Sequence, residues 1–229
     1  MKYQACATLV SSPWTAFFKA TSSDFDGAKC LANLGKEFYF ERNSIKYHAS
    51  CGHTHSAIDA VLQATQGAGL ALEDVERVSV SVYQGSLDLL ENIEPTTPYL
   101  AKFNLPFCVA SALRFGHANL ADFTAERIRD PEMMRMIQKI QIQSDPELSA
   151  VYPRKWPARV EIVMRSGTHL KGAVEYPKGD PENPLSESEV LGKFKALTRG
   201  LITEDWADVL CQRVMALDRA PDVSTLLTR

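Results

Sequence analysis

Apolar residues change period several times along this chain, and each change marks an element. Ala57, Ile58, Val61 and Leu62 recur at helical spacing, and Gly67 and Gly69 close the run, which predicts a helix from Ser56 to about Gln66. Val75–Tyr83 alternates apolar and polar with period two, the pattern of a half-buried strand. Leu100–Arg114 is apolar on most sides and predicts a buried helix, with Pro106 either kinking it or marking its true first turn. Short helices are expected over Phe123–Ile128 and from Pro131 to about Gln138, Pro131 fitting a first turn. Lys139–Gln143 reads as a second strand. Arg159–Met164 and His169–Tyr176, joined at Ser166-Gly167, read as a β-hairpin.

The flanks read differently. Residues 1–45 are largely irregular, with a short helix expected over Ala28–Leu34, closed by Gly35, and a short aromatic strand at Glu37–Phe40. Tyr176–Pro184 is a proline-rich exit loop. Ser186-Glu-Ser-Glu189 has the form of a capping box opening a helix to about Thr198, and a second helix is expected over Glu204–Leu217, with a third, short one ending the chain. Four strands separated by helical segments give an α+β class with a small antiparallel sheet packed by helices. The division expected is an irregular segment at 1–40, an α+β domain at 41–180 and a helical segment at 181–229 belonging to a different structural unit.

Composition narrows the classes. The 229 residues are 45% hydrophobic and 23% charged, with a net charge of −3, which fits a globular protein with a real core. The charges are interspersed. No basic stripe points to nucleic acid, no polybasic segment to an anionic membrane, and no apolar run approaches the ~20 residues needed to span a bilayer. The apolar part of Met1–Val10 is short and interrupted, so it does not read as a signal peptide. Five widely spaced cysteines without a C-x-x-C read as reduced thiols of a cytoplasmic protein.

The chemistry concentrates in Lys46-Tyr-His-Ala-Ser-Cys51-Gly-His53-Thr-His55, which holds three of the five histidines. It reads as a reactive loop feeding a helix N-terminus, where backbone N–H groups favour anions. One reading is a zinc site from His48, Cys51, His53 and His55, but the spacing matches no structural zinc motif and there is no H-E-x-x-H, so no metal is expected. A second is acid/base chemistry on an anionic substrate: Lys46 pairs with a carboxylate, and a thiol or imidazole exchanges a proton. A third is a surface loop where polar residues cluster by chance. On the second reading, Lys46, Cys51 and His55 are the candidate catalytic residues, and Lys46 and His53 the candidate substrate-binding ones. Elsewhere, Cys108 reads as core, His117 as a helix-end residue and His169 as a cross-strand residue.

Three stretches together resemble the MmgE/PrpD family. Ile45–Ala60 is similar to the family's Lys-Pro-Tyr-Pro-x-Cys-x-x-x-His motif before a helix. Ala101-Lys-Phe-Asn-Leu-Pro-Phe-Cys-Val-Ala110 is similar to its Ala-Lys-Phe-Ser-Leu-Pro-Tyr helix start. Tyr176–Leu185, followed by Lys193-Phe194, is the third. The resemblance implies the lid domain and C-terminal helices of an enzyme acting on a small di- or tricarboxylate. The expected activity is that of a 2-methylcitrate dehydratase-like lyase, with decarboxylation or epimerisation as alternatives sharing the same first step, proton removal beside a carboxylate. No metal or organic cofactor is implied. Lys46 matches a family lysine that holds substrate carboxylate, Cys51 stands where some members place a functional histidine, and His55 matches the motif's closing histidine. Phe107 stands where a tyrosine is common and Asn104 where a serine is usual. The family's large helical domain carries further site residues, so a homodimer or a partner chain supplying that domain is expected. The reading from another class is a non-catalytic interaction module.

Overall fold

The computed structural model describes Ser23 and residues 32–90 and 93–228. The chain divides into two compact units, residues 1–43 and 44–229. In the first, residues 32–36 form a turn and Tyr39–Arg42 a short 3-10 helix, so the strand expected at Glu37–Phe40 is not formed. Aromatic β propensity alone does not make a strand where no neighbour pairs with it. Most of the helix expected at Ala28–Leu34 lies outside the described residues.

The second unit holds α1 (Gly52–Thr65), β1 (Val75–Val82), α2 (Gln84–Leu90), α3 (Pro98–Ala101), α4 (Leu105–Phe115), α5 (Ala125–Arg129), α6 (Pro131–Ile137), β2 (Ile140–Ser144), α7 (Pro146–Val151), β3 (Ala158–Met164), β4 (His169–Val174), α8 (Glu187–Thr198) and α9 (Glu204–Met215). The α+β class and the four strands agree with the sequence. The sheet has the order β2-β1-β3-β4. The pairs β1–β3 and β3–β4 are antiparallel, while β1–β2 is parallel, with Val78 opposite Ile140 and Val82 opposite Ser144. The sheet is therefore mixed at one edge. Parallel strands need a long crossover, and here it is the helical stretch α2–α6.

Alternation sets the two faces. Val78, Val80, Val82, Ala158, Val160 and Ile162 are buried, and they form one core with Ala57, Ile58, Ala60, Val61 and Ala64 of α1 and Phe107, Cys108 and Ala112 of α4. Ser81, Arg159 and Lys171 stand on the opposite, polar face. Pro106 sits in the first turn of α4, with Asn104 as N-cap: its Oδ1 accepts the Phe107 N–H at 2.7 Å. Asn104 thus performs the capping role a serine would, and its Nδ2 adds a bond to the Ile93 carbonyl at 2.6 Å. Gly116 ends α4 at φ 71°. His117 does not cap that helix; it pairs with Asp122 at 2.7 Å.

Helix α1 begins at Gly52, four residues before the expected Ser56. The cause is local side-chain chemistry. Thr54 Oγ1 donates to the Cys51 carbonyl at 2.8 Å and pairs with Ser50 Oγ at 2.7 Å, tightening the first turn around residues of modest helix propensity. His53 and His55 consequently stand inside a helix, not in a loop before it. α1 crosses β4 at Gly172, where a Cβ would fall 1.9 Å from the Ala60 carbonyl oxygen. Only glycine lets helix and strand approach so closely.

The capping box at Ser186 is present, Ser186 N–H donating to Glu189 Oε2 at 2.7 Å. α8 nevertheless buries none of its residues, and α9 buries only Ala207. Among the described residues, no helix is long and apolar enough to cross a membrane. Gly172→Ala is expected to push α1 off the sheet and cost about 1–3 kcal/mol, the usual price of overpacking. A lowered urea midpoint at unchanged slope checks it, and an unchanged midpoint means that α1 does not seat on Gly172.

Candidate active site

Four segments meet at a pocket of about 280 Å³. The extended stretch before α1 brings Lys46, the start of α1 brings Gly52 and His55, the turn before β3 brings Trp156, and the proline-rich loop brings Lys178 and Asp180. A larger hollow of about 490 Å³ lies on the open polar face of the sheet, among Ser79, Ser81, Arg159 and Lys171, and contains none of the clustered residues. The smaller pocket is the chemically furnished one, because cations, an imidazole and a helix start converge there.

Asp59, on α1, fixes the relation of these segments. Its Oδ1 accepts from His48 Nε2 at 2.8 Å and its Oδ2 accepts the Lys178 backbone N–H at 2.7 Å. The Ile45 N–H donates to the Gly179 carbonyl at 2.9 Å, and Gly179 has φ 99° with its α-carbon against the Ile45 carbonyl, where a Cβ would lie at 1.9 Å. Lys193 Nζ reaches the Tyr47 carbonyl at 3.2 Å. The Lys46 segment is thereby held against the 177–180 loop from both sides. Within the pocket Lys178 pairs with Glu189 at 3.0 Å, whereas among the described residues no carboxylate pairs with the exposed Lys46. Lys46 lines the pocket and is exposed.

His55 is buried, with its Nε2 3.3 Å from the Ser50 carbonyl. A carbonyl only accepts, so Nε2 carries the hydrogen and Nδ1 the lone pair. Burial, then the neighbouring His48 ring, then Lys46, bring its pKa down to about 4, against the retaining effects of Ser50 and Asp59. His55 is therefore a neutral imidazole near pH 7. His48 is buried, edge-on to His55 at 5.2 Å, and acts as the link to Asp59.

Cys51 and His53 go elsewhere. Cys51 is the N-cap of α1, donates its backbone N–H to the Lys102 carbonyl at 2.9 Å and packs against the core; its neighbour Gly52 lines the pocket. His53 stacks on Trp156 at 4.4 Å and bonds Tyr83 at 2.6 Å. Burial, then Lys46, lower its pKa. The structure thus joins Lys46 and His55 in one pocket and sets His53 behind Trp156. Among the described residues, no group of three or more His, Cys, Asp or Glu side chains is placed to hold a metal ion. Burial pushes the Cys108 thiol up to about 12, which fits the core role read from its sequence context. His169 bonds Glu161 across the hairpin at 3.0 Å, also as read. Phe107 is fully buried beside Phe123 and brings no hydroxyl. Sequence reasoning missed Trp156, Lys178 and Asp180. Only the third family-like stretch, Tyr176–Leu185, signalled the last two, and nothing in the local pattern signalled Trp156.

The MmgE/PrpD C-terminal domain profile matches residues 48–218. The cis-aconitate decarboxylase-like protein oryM of Aspergillus oryzae is 25% identical over 203 residues, covering 85% of this chain and 42% of that protein. The cis-aconitate decarboxylase of Aspergillus terreus is 23% identical over 207 residues, covering 86% of this chain and 42% of its own length. The 2-methylcitrate dehydratase of Salmonella typhi is 26% identical over 179 residues, covering 73% and 36%. The chain spans about two-fifths of the length of these curated relatives. With its profile match running through α1, the sheet and the C-terminal helices, the chain belongs to the MmgE/PrpD family.

Proposed function

We propose that this chain contributes the lid-side half of the active site of a cofactor-free lyase that removes a proton beside a carboxylate of a small di- or tricarboxylate. The observation that carries the reading is the convergence of Lys46 and a neutral His55 on one pocket. Lys46 holds a substrate carboxylate and meets the charge that develops on it as the proton leaves. His55, with its Nδ1 lone pair free, is the base. Cys51 makes no side-chain capping bond and lies outside the pocket lining, while its place in the family motif keeps it a candidate for proton transfer. The organic step needs no bound metal in this reading.

Dehydration of a 2-methylcitrate-like substrate is the first reading, supported by the relatives named 2-methylcitrate dehydratase. Decarboxylation is the second, supported by relatives named cis-aconitate decarboxylase that match more of the chain. Dehydration breaks a C–H bond, gives the proton to the base and expels the hydroxyl group as water. Decarboxylation breaks the C–CO2 bond, and the carbanion so formed takes up a proton, which His55 would then have to deliver. Both pass through a carbanion or enolate that a carboxylate and Lys46 stabilise. We propose in addition that a helical chain, or a second copy, completes the site. The exposure of Leu197, Leu201, Val214 and Met215 on α8, α9 and their connection supports this, because a lone domain rarely leaves such helices unburied. A non-catalytic module predicts no turnover in any mixture.

The purified chain, alone and mixed with a candidate helical partner, is to be assayed against 2-methylcitrate, cis-aconitate and iminodisuccinate. Turnover of one of them is expected, and no turnover in any mixture overturns the enzyme reading. Lys46→Ala should lower kcat/KM by roughly 10- to 150-fold, the equivalent of about 1.5–3 kcal/mol for a hydrogen bond to a charged group. An unaffected Lys46→Ala enzyme places the anion elsewhere.

The lowered pKa of His55 gives two signs to check. A base must be neutral, so the rate should stay level from neutrality and fall only as pH drops through about 4. Unfolded His55 protonates near 6.5 but folded His55 only near 4. Its contribution to stability is therefore complete above 6.5 and is lost as pH falls through that window. Urea midpoints measured from neutral to acid pH should decline less steeply in His55→Gln than in the parent chain.

A further inference from the structure

Tyr83 follows β1 and is 2% exposed, and among the described residues its hydroxyl has one hydrogen-bond partner, His53 Nδ1 at 2.6 Å. A buried hydroxyl proton without an acceptor costs about 1–3 kcal/mol, so the proton is directed to Nδ1. Nδ1 then holds the lone pair, and the neutral ring carries its hydrogen on Nε2. The ring is not free to swivel out of this arrangement. Trp156 covers it at 4.4 Å with 20° between planes, and Tyr152 stacks on Tyr83 at 4.3 Å with 11° between planes. Ser86 Oγ donates to the His53 carbonyl at 3.1 Å. Gly85 leaves room for the Tyr152 ring, whose Cε1 lies 3.1 Å from where a Cβ would stand.

We propose that Tyr83 is a positioning residue that locks His53 as an Nε2–H hydrogen-bond donor on the Trp156 side of α1, while His55, in the pocket, offers the Nδ1 lone pair. The two rings hold the same tautomer for opposite purposes. His55 uses its Nε2–H internally, on the Ser50 carbonyl, and frees Nδ1. His53 uses Nδ1 internally, on Tyr83, and frees Nε2–H. The lock on His53 stands on its own geometry and does not depend on the proposed reading of the pocket.

The test is a long-range 1H–15N correlation spectrum of the full chain labelled at histidine nitrogen, at about pH 8, where a histidine of ordinary or lowered pKa is neutral. His53→Gln and His55→Gln assign the two rings. Both are expected as the single Nε2–H tautomer. Tyr83→Phe keeps the aromatic stack and removes only the hydroxyl, and should turn His53 into a mixture of tautomers while His55 stays as it was. A wild-type His53 protonated on Nδ1, or already a mixture, overturns the proposal. So does a folded Tyr83→Phe chain with an unchanged His53. Should that variant not fold, the wild-type spectrum still decides. No substrate is present, so failure here and failure of turnover are separate results.

Discussion

The carboxylate of Asp59 accepts two hydrogen bonds from parts of the chain far apart in sequence: the His48 imidazole before α1 and the Lys178 backbone N–H more than a hundred residues later. Both of its oxygens are used, and it is largely shielded from solvent, with a side-chain exposure of 13%. In that setting a charge-assisted bond is stronger than a neutral one, and losing either donor leaves lone pairs that water cannot easily reach. The pocket exists because α1 carries this acceptor one turn beyond His55. Lys46 and Lys178, far apart in the chain, line the same cavity.

Two close backbone approaches make the same geometry possible from the other side. Gly172 lets α1 lie directly on the edge strand β4, which sets the height of the helix above the sheet. Gly179 lets the proline-rich loop lie directly on Ile45, which sets the wall opposite the helix. A side chain at either place would meet a carbonyl at 1.9 Å, so neither interface can be adjusted by small rotamer changes. The two backbone contacts and the Asp59 carboxylate together fix the frame on which Lys46 and His55 are placed.

The periodic elements were legible from sequence because burial alone decides them. Val75–Val82 alternates as a strand with one wet face must, and Ser166-Gly167 turned the hairpin as its composition indicated. The parallel β1–β2 edge was not legible, since pairing partners are set by the crossover and not by the strand's own pattern. The start of α1 was missed because His53, Thr54 and His55 are poor evidence for a helix. The Ser50–Thr54 pair that holds the turn is a spatial fact. Lys46 and His55 stood out in the sequence by type and density, and both line one pocket. That His53 turns away from the pocket onto Trp156 and Tyr83 was not, because those partners come from distant segments with nothing in their local sequence to mark them.

The distribution of burial bears on what the domain does. The sheet, α1 and α4 share one continuous core, while α8 buries nothing and α9 only Ala207, although both have well-formed N-caps. Capping is worth about 1 kcal/mol and cannot by itself hold a twelve-residue helix in water, where most helical stability comes from packing an apolar face. Leu197, Leu201, Val214 and Met215 are exposed where such packing would be expected. Lys193 of α8 nevertheless reaches the Tyr47 carbonyl, and Glu189 of α8 holds Lys178 at the pocket. The C-terminal helices are therefore coupled to the site through α8. A partner that covered their apolar face would stabilise Lys178 and the Lys46 segment by the same act, which makes completion of the site and burial of these helices one physical event in the proposed assembly.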